Sequence, residues 1–309
     1  MELIRSIHSQ SLKDQDCVAT IGNFDGVHLG HRSVIKQLIR NAKEKGLPSV
    51  VVTFEPLPME FFSASTAPAR LTEFREKIEL LSAMSVDKVV CLRFNHSLAS
   101  LSAQFFVKDI LSDGLHVKRL IVGDDFRFGT NREGNVELLK KLGPSHGFDL
   151  IPAETYHYNN VRVSSSLVRG FLAIGEFEQA QHYLGRAYHM DGKVIHGDKR
   201  GKKLGFPTAN LSCHRINCPL LGVYVVRIHG LNDKIYDGVA NIGTRPVFDG
   251  DKLLLETFIF DFEQEIYGRR IRVEFVKKLR DELNFHSVEA LCEQMEKDVK
   301  KAKVFLSKA

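Results

Sequence analysis

The chain changes its pattern once, near residue 184. Before that point short β-rich runs alternate with helical ones. After it, strand-like runs follow one another with no long helix until the C-terminal end. In the first part residues 18–21, 49–54, 88–94 and 118–122 read as strands. Between them, Val34, Ile35, Leu38 and Ile39 recur at helical spacing over 31–45, with Gly46 as the stop. Phe74, Ile78 and Leu81 mark one face of a helix over 72–84, and a further helix is predicted over 102–112. Repeated βα units demand a parallel sheet with helices on both faces. Ligands of such sheets sit at the carboxyl ends of the strands. The loops at 22–30, 55–58 and 123–129 each follow a strand and are therefore expected to converge on one cleft.

In the second part residues 194–195, 222–228, 235–241, 253–260 and 270–275 are strand-like and separated by Gly, Asn and Asp, the pattern of an antiparallel sheet or barrel. Val288, Leu291, Met295, Val299 and Ala302 mark a closing amphipathic helix, and Lys297, Lys300, Lys301 and Lys303 read as its solvated face. Two domains of different architecture are predicted, 1–184 and 185–309. A chain of 309 residues is long for one core and comfortable for two.

Hydrophobic residues make up 43% and charged residues 26%, enough for cores without disulfides or metal. The five cysteines are scattered and form no C-x-x-C pair, so they are expected to be free thiols rather than a zinc site or a disulfide framework. The opening MELIRSIHSQSLKDQD has no apolar stretch of the signal-peptide kind, and no run approaches the roughly 20 apolar residues of a membrane span. A cytoplasmic protein with no membrane partner is expected. The net charge of +5 suits anionic substrates such as nucleotides, and is too small and dispersed to argue for nucleic acid.

The strongest local signal is Gly22-Asn23-Phe24-Asp25-Gly26-Val27-His28-Leu29-Gly30-His31, set between a predicted strand and a predicted helix. Its glycines let the backbone approach a ligand closely. A helix N-terminus supplies free amide donors and partial positive charge, the usual setting for a phosphate. His28 and His31 are three apart, so on a first helical turn both imidazoles face one side, where as donors they would stabilise a pyrophosphate leaving group. A lone histidine there would more simply cap the helix. Paired histidines can also chelate, but no Cys or general-base Glu stands nearby. Beside three glycines after a strand, phosphate handling is the preferred reading.

In Val163-Ser164-Ser165-Ser166-Leu167-Val168-Arg169 three hydroxyls precede a helical pattern. A Ser N-cap explains one of them, and Arg169, one turn in, is suited to paired hydrogen bonds with a phosphate. Gly123-Asp124-Asp125-Phe126-Arg127-Phe128-Gly129 puts two aromatics and two carboxylates in a loop, where Phe126 and Phe128 fit a ligand or the core equally well.

Together GNFDGVHLGH, TFEPLPMEFF, GDDFRFG and VSSSLVR, in this order, resemble the adenylyltransferase module of prokaryotic bifunctional riboflavin kinase/FAD synthetases, a Rossmann-like nucleotidylyltransferase sheet. The resemblance implies ATP contacts at Gly22, Asn23, Phe24, His28, Gly30, His31, Ser164, Ser165, Ser166 and Arg169, and flavin contacts at Pro56, Pro58, Asp125, Phe126 and Phe128. It implies no covalent enzyme intermediate. This chain has Ser166 where the family pattern has Thr, and Leu57 between the two prolines where a polar residue or His is frequent.

The segment Gly197-Asp198-Lys199-Arg200-Gly201-Lys202-Lys203-Leu204-Gly205-Phe206-Pro207-Thr208-Ala209-Asn210 is rich in glycine and cations. It is not a Walker loop, because Gly201-Lys202 is followed by Lys203 rather than Ser or Thr. Thr208 and Asn210 are hard oxygen donors of the kind that suit Mg²⁺, which completes its octahedron with water and nucleotide phosphates. A lysine-rich surface turn would account for Lys199 and Arg200 but not for the Pro-Thr-Ala-Asn tail. Glu256 interrupts a strand that reads as apolar on both faces. A desolvated carboxylate there suits a general base taking a proton from a primary alcohol, and a strand-end Glu paired with a lysine is the other reading.

GKKLGFPTAN, LGVYVV, GVANIGTRPVFDG, LETFIFDF and IYGRRIRV are similar to the riboflavin kinase module of the same bifunctional family, a small antiparallel β-barrel with a C-terminal helix. The resemblance implies ATP contacts at Gly197, Gly201, Lys203, Gly205, Pro207, Thr208 and Asn210, and Mg²⁺ or a similar divalent cation on Thr208 and Asn210. It further implies Glu256 as base and flavin contacts at Arg280, Glu282 and Phe285. The implied partners are riboflavin, FMN, FAD and ATP, in a monomer or weak homo-oligomer.

Overall fold

The computed structural model describes residues 1–197, 205–213, 215–247 and 250–308. By its contacts the chain forms two compact units, Met1–Pro68 with Thr72–Ser164, and Ala69–Leu71 with Ser165–Ala309.

The first unit is built on six parallel strands, β1 (Glu2–Ile4), β2 (Cys17–Ile21), β3 (Ser49–Glu55), β4 (Lys88–Arg93), β5 (Val117–Val122) and β6 (Asp149–Pro152), in the order β1-β4-β3-β2-β5-β6. The inner strands are apolar because both their faces are covered. Alternate side chains go to opposite layers: Ala19, Ile21, Val50, Val52 and Leu120 enter one core. Val18, Val51, Val89 and Ile121 enter the other, against Ile35 and Leu38 of α1 (Leu29–Lys45) and Leu81 of α3 (Phe74–Ser82). The short α2 (Pro58–Phe62) follows β3. As predicted, Gly46 ends α1, in the left-handed conformation at φ 64°.

The edge strands β1 and β6 were not legible. The first has three residues, two of them exposed, and the second ends on proline. After α4 (His96–Ala99), the predicted helix over 102–112 starts as α5 (Ala103–Phe105) and then widens into a π-helix over Phe106–Ser112. Its buried residues Phe106, Val107, Ile110 and Leu111 satisfy either period, so spacing does not separate the two. Helix α6 (Val136–Leu142) precedes β6, and a small hairpin, β7 (His157–Tyr158) and β8 (Val161–Arg162), closes the unit. The chain runs from β2 to β3 on one side and crosses to β5 on the other. The switch point therefore lies at the carboxyl ends of β2 and β5, with β3 beside them.

The second unit holds α7 (Ser165–Ala173), α8 (Phe177–Leu184) and a closed barrel. Its strands are β9 (His189–Ile195), β10 (Thr208–Ser212), β11 (Gly222–Leu231), β12 (Lys234–Val247), β13 (Gly250–Ile259) and β14 (Arg270–Arg280). They close in the order β10-β13-β12-β11-β14-β9, every pair antiparallel. Helix α9 (Val288–Leu306) packs Val299, Ala302 and Phe305 on Val225, Val239 and Phe258, which therefore mark the outer wall of the barrel. The stretch after Pro207, given no element from the sequence, is a strand. One sequence expectation shifts. The strand bearing Glu256 is not alike on its two faces: Leu253, Leu255, Thr257 and Ile259 are buried, whereas Leu254, Glu256 and Phe258 are half-buried.

Candidate active sites

In the first unit the segment 22–28 leaves β2 through a backbone that few residues tolerate. Phe24 (φ 47°), Gly26 (φ 87°) and Val27 (φ 40°) are all left-handed. Two of the three are not glycine, and such strain, about 1–3 kcal/mol each, persists only where neighbours over-determine it. Here they do. The buried Asp25 accepts from Thr72 N at 3.0 Å and from Thr72 Oγ1 at 3.3 Å, while Gly26 N donates to Thr72 Oγ1 at 3.0 Å. Thr53 Oγ1, on β3, donates to Asn23 O at 3.3 Å.

The segment delivers His28 to the start of α1, where its Nδ1 accepts from His31 N at 3.2 Å. That bond fixes the neutral ring with its proton on Nε2, so His28 both caps the helix and keeps a donor. The His28 and His31 rings stack at 3.6 Å and 14°, with Phe24 edge-on to His31 at 5.2 Å. A side chain at Gly30 would come within 3.1 Å of both the His28 ring and Val163 O. Glycine there lets the chain just before Ser164 lie against the opening of α1. Ser165 and Ser166 sit within the first turn of α7 rather than ahead of it. Arg169 Nε, one turn on, donates to Ala69 O at 2.6 Å.

The residues expected to meet flavin divide. The Glu55–Pro56 peptide is cis and Pro58 opens α2. Leu57 is buried, and its N–H donates to Glu60 Oε2 at 3.0 Å. Asp125 is exposed and pairs with Arg162 at 3.1 Å. Phe128 is a core residue, packed on Phe106 at 5.3 Å, while Phe126 is half-buried and stacks on it at 5.6 Å. Sequence reasoning missed an aromatic cluster beside this loop. Phe94 meets Phe54, Phe61 and Phe62 at 5.4–5.8 Å, and Phe61 meets His96 at 4.9 Å. The Phe-Phe pair ending TFEPLPMEFF was its only signal.

In the second unit the barrel register sets Asn210, Glu256, Asn241, Val223 and Arg280 side by side, one from each of five adjacent strands. Direct partners share a face, so the two amides flank the carboxylate. Thr208, two residues before Asn210, lies on that face as well. A cavity of about 330 Å³ opens between this outer wall and α9. Glu256, Asn241, Thr208, Arg280, Glu282 and Phe285 line it, with Asp298 and an apolar part that includes Val239, Phe258 and Met295. Asn210 packs on Gly197, where any Cβ would collide with its carboxamide. Gly205 is left-handed at φ 84°, directly ahead of the cavity residue Phe206, and Pro207 leads into β10. Gly201 and Lys203 lie outside the described residues.

The segment after β14 is tied down on both sides. Arg280 Nε and Nη2 reach Asp298 of α9 at 2.9 and 2.8 Å, and its Nη1 donates to Asp281 O at 2.9 Å. Its guanidinium lies 5.9 Å from the Phe285 ring centre. Glu282 reaches back across the wall, so that a Cβ on Gly243 would collide with its carboxylate. Among the described residues no three His, Cys, Asp or Glu side chains are grouped to hold a metal ion. A cation at Thr208 and Asn210 would therefore rest on neutral oxygens and on those of a bound phosphate, a donor set that fits Mg²⁺.

Comparison with known proteins agrees with this two-part layout. Residues 10–167 match the FAD synthetase family and residues 184–306 the riboflavin kinase family. The bifunctional riboflavin kinase/FMN adenylyltransferase of Escherichia coli (strain K12) is 45% identical over 306 residues, 99% of this chain and 98% of that one. The protein of that name from Haemophilus influenzae is 43% identical over 307 residues, 99% and 100% of the two chains. A solved Streptococcus pneumoniae structure, described as a macrolide-efflux protein, superposes with a TM-score of 0.76 at 29% identity over 97% of this chain and 98% of its own. Among the described residues no helix here is long and apolar enough to cross a membrane. With a family matched in each part and relatives aligned from end to end, the chain belongs to the bifunctional riboflavin kinase/FMN adenylyltransferase family.

Proposed function

We propose that this chain makes both flavin nucleotides, FMN in the barrel cavity and FAD at the switch point of the parallel sheet. The support that weighs most is the row Asn210–Glu256–Asn241 beside Thr208. It sets a carboxylate among neutral oxygens on one wall of a cavity that also has a large apolar part. A flat ring system suits the apolar part, and a hydroxylated tail suits the polar wall.

In the kinase step the terminal hydroxyl of riboflavin attacks the γ-phosphorus of ATP, ADP leaves, and Glu256 takes the hydroxyl proton. A bound Mg²⁺, held by Thr208 and Asn210, would screen the phosphate charge. Gly197, Gly201, Lys203, Gly205 and Pro207 are assigned to the nucleotide, and Arg280, Glu282 and Phe285 to the flavin side. In the adenylyl step a phosphate oxygen of FMN attacks the α-phosphorus of a second ATP and pyrophosphate leaves, with no covalent enzyme intermediate. The His28 Nε2–H, His31 and the opening amides of α1 stabilise the leaving group. Gly22, Asn23, Phe24, Gly30, Ser164, Ser165, Ser166 and Arg169 complete the ATP contacts. Pro56, Pro58, Asp125 and Phe126 are assigned to the flavin, with the core residue Phe128 supporting Phe126 from behind. The functional modules are assigned to 1–184 and 185–309, in a cytoplasmic monomer or weak homo-oligomer.

Chromatography of the products formed from riboflavin, ATP and magnesium tests this reading. FMN is expected first and FAD after it, with ADP and pyrophosphate released. A reaction that stops at FMN, or yields neither, overturns it.

A further inference from the structure

Among the described residues the motif GVANIGTRPVFDG lines the cavity with Val239 and with one polar side chain, Asn241, that the reading above leaves without a role. It is the direct register partner of Glu256 and lies on the same face, so their Cβ atoms are about 5 Å apart. Its neighbours along that face are Val223 across the ladder and Val239 two residues back, both apolar and both in the cavity wall. Asn241 is half-buried, lines the cavity, and its carboxamide makes no hydrogen bond to another described residue. Set between the Glu256 carboxylate and two valines, the carboxamide is best satisfied by a polar group of whatever fills the cavity.

A carboxamide both donates and accepts, which matches a hydroxyl. The substrate's tail carries a secondary hydroxyl on the carbon next to the one phosphorylated. With the terminal hydroxyl at Glu256, that neighbouring oxygen lies one carbon away, on the scale of the spacing between adjacent strands. We infer that Asn241 is a specificity residue of the kinase site, whose carboxamide engages the 4′-hydroxyl of the ribityl chain and so aims the 5′-hydroxyl at Glu256. The inference rests on the cavity's being the riboflavin site with Glu256 as base.

The test pairs a variant with a substrate analogue. kcat/KM for FMN formation is measured with riboflavin and with 4′-deoxyriboflavin, in the unmodified chain and in Asn241→Leu, alongside Glu256→Gln with riboflavin and melting of each variant. The unmodified enzyme is expected to prefer riboflavin by roughly 10- to 100-fold, the range for one buried hydroxyl contact. In Asn241→Leu that preference should collapse to within a few-fold, through loss on riboflavin alone. An Asn241→Leu enzyme that slows equally on both substrates and keeps the preference has lost structure only, and the inference is then wrong. If Asn241→Leu does not fold, Asn241→Ser, smaller and still able to hydrogen-bond, should retain an intermediate preference; an unchanged one counts against the inference. If Glu256→Gln is as active as the parent chain, the reading of the base fails instead, whatever Asn241 does.

Discussion

His28 does two jobs that one substitution pair can separate. Its Nδ1 caps α1 through His31 N, and under the proposed function the proton this leaves on Nε2 is the one offered to phosphate. Asparagine keeps a capping oxygen but offers no donor at the far edge of a ring. His28→Asn should therefore melt like the parent chain while FAD formation falls roughly 10²- to 10³-fold, the loss found when one donor to developing charge is removed. His28→Ala should lose the cap too, about 1 kcal/mol of stability. Equal FAD synthesis by His28→Asn and the parent chain would reduce the histidine to a cap. The sequence makes His28 and His31 conspicuous because three glycines and a strand-to-helix change surround them. It does not reveal Thr72 as the clasp on Asp25 and Gly26, since that contact spans 47 residues and follows no local period.

At the scale of elements, β9 and β14 carry a built-in pH response. Burial, and then the Arg272 guanidinium, push the His189 imidazole down from its ordinary 6.5 to about 4. The opposing carboxylate of Asp191 does not prevent this. The folded barrel thus keeps His189 neutral while an unfolded chain protonates it below about pH 6.5, so stability falls as pH drops from there toward 4. Asp191 extends the same trend. Its burial raises its proton affinity, but the hydrogen bonds from Arg272, at 2.8 and 2.9 Å, and the charges around it bring the net below the usual carboxylate range. That contribution is present above roughly pH 4 and is lost below it. His189→Gln should flatten the decline between pH 6.5 and 4 by about 2–3 kcal/mol, read from denaturant midpoints against pH. Parallel curves for variant and parent would contradict the assignment.

Elements also mark where sequence reading stops. The inner strands announced themselves because both faces are apolar, and α1 because its stripe ends at Gly46. The π-helix did not, since its buried pairs fit two periods. The strand after Pro207 was hidden by the polar Thr208 and Asn210, which face the outer wall of the barrel. The neighbours of Glu256 needed the register of three strands, and register belongs to tertiary packing rather than to local pattern.

At the scale of the whole molecule the change of pattern near residue 184 carries the most information, because βα alternation builds a parallel sheet whereas strands joined by short turns build an antiparallel one. Each unit has its own core and its own polar site, built by different means: a strained loop at a helix start in one, a cross-strand row in the other. Such sites should fail separately. The most direct measurement follows riboflavin and FMN as alternative starting substrates in two variants, His28→Ala with His31→Ala, and Glu256→Ala. The histidine variant should accumulate FMN from riboflavin and make no FAD. The Glu256 variant should leave riboflavin untouched yet convert supplied FMN to FAD. Loss of both conversions in either variant, with its fold intact, would contradict two independent sites.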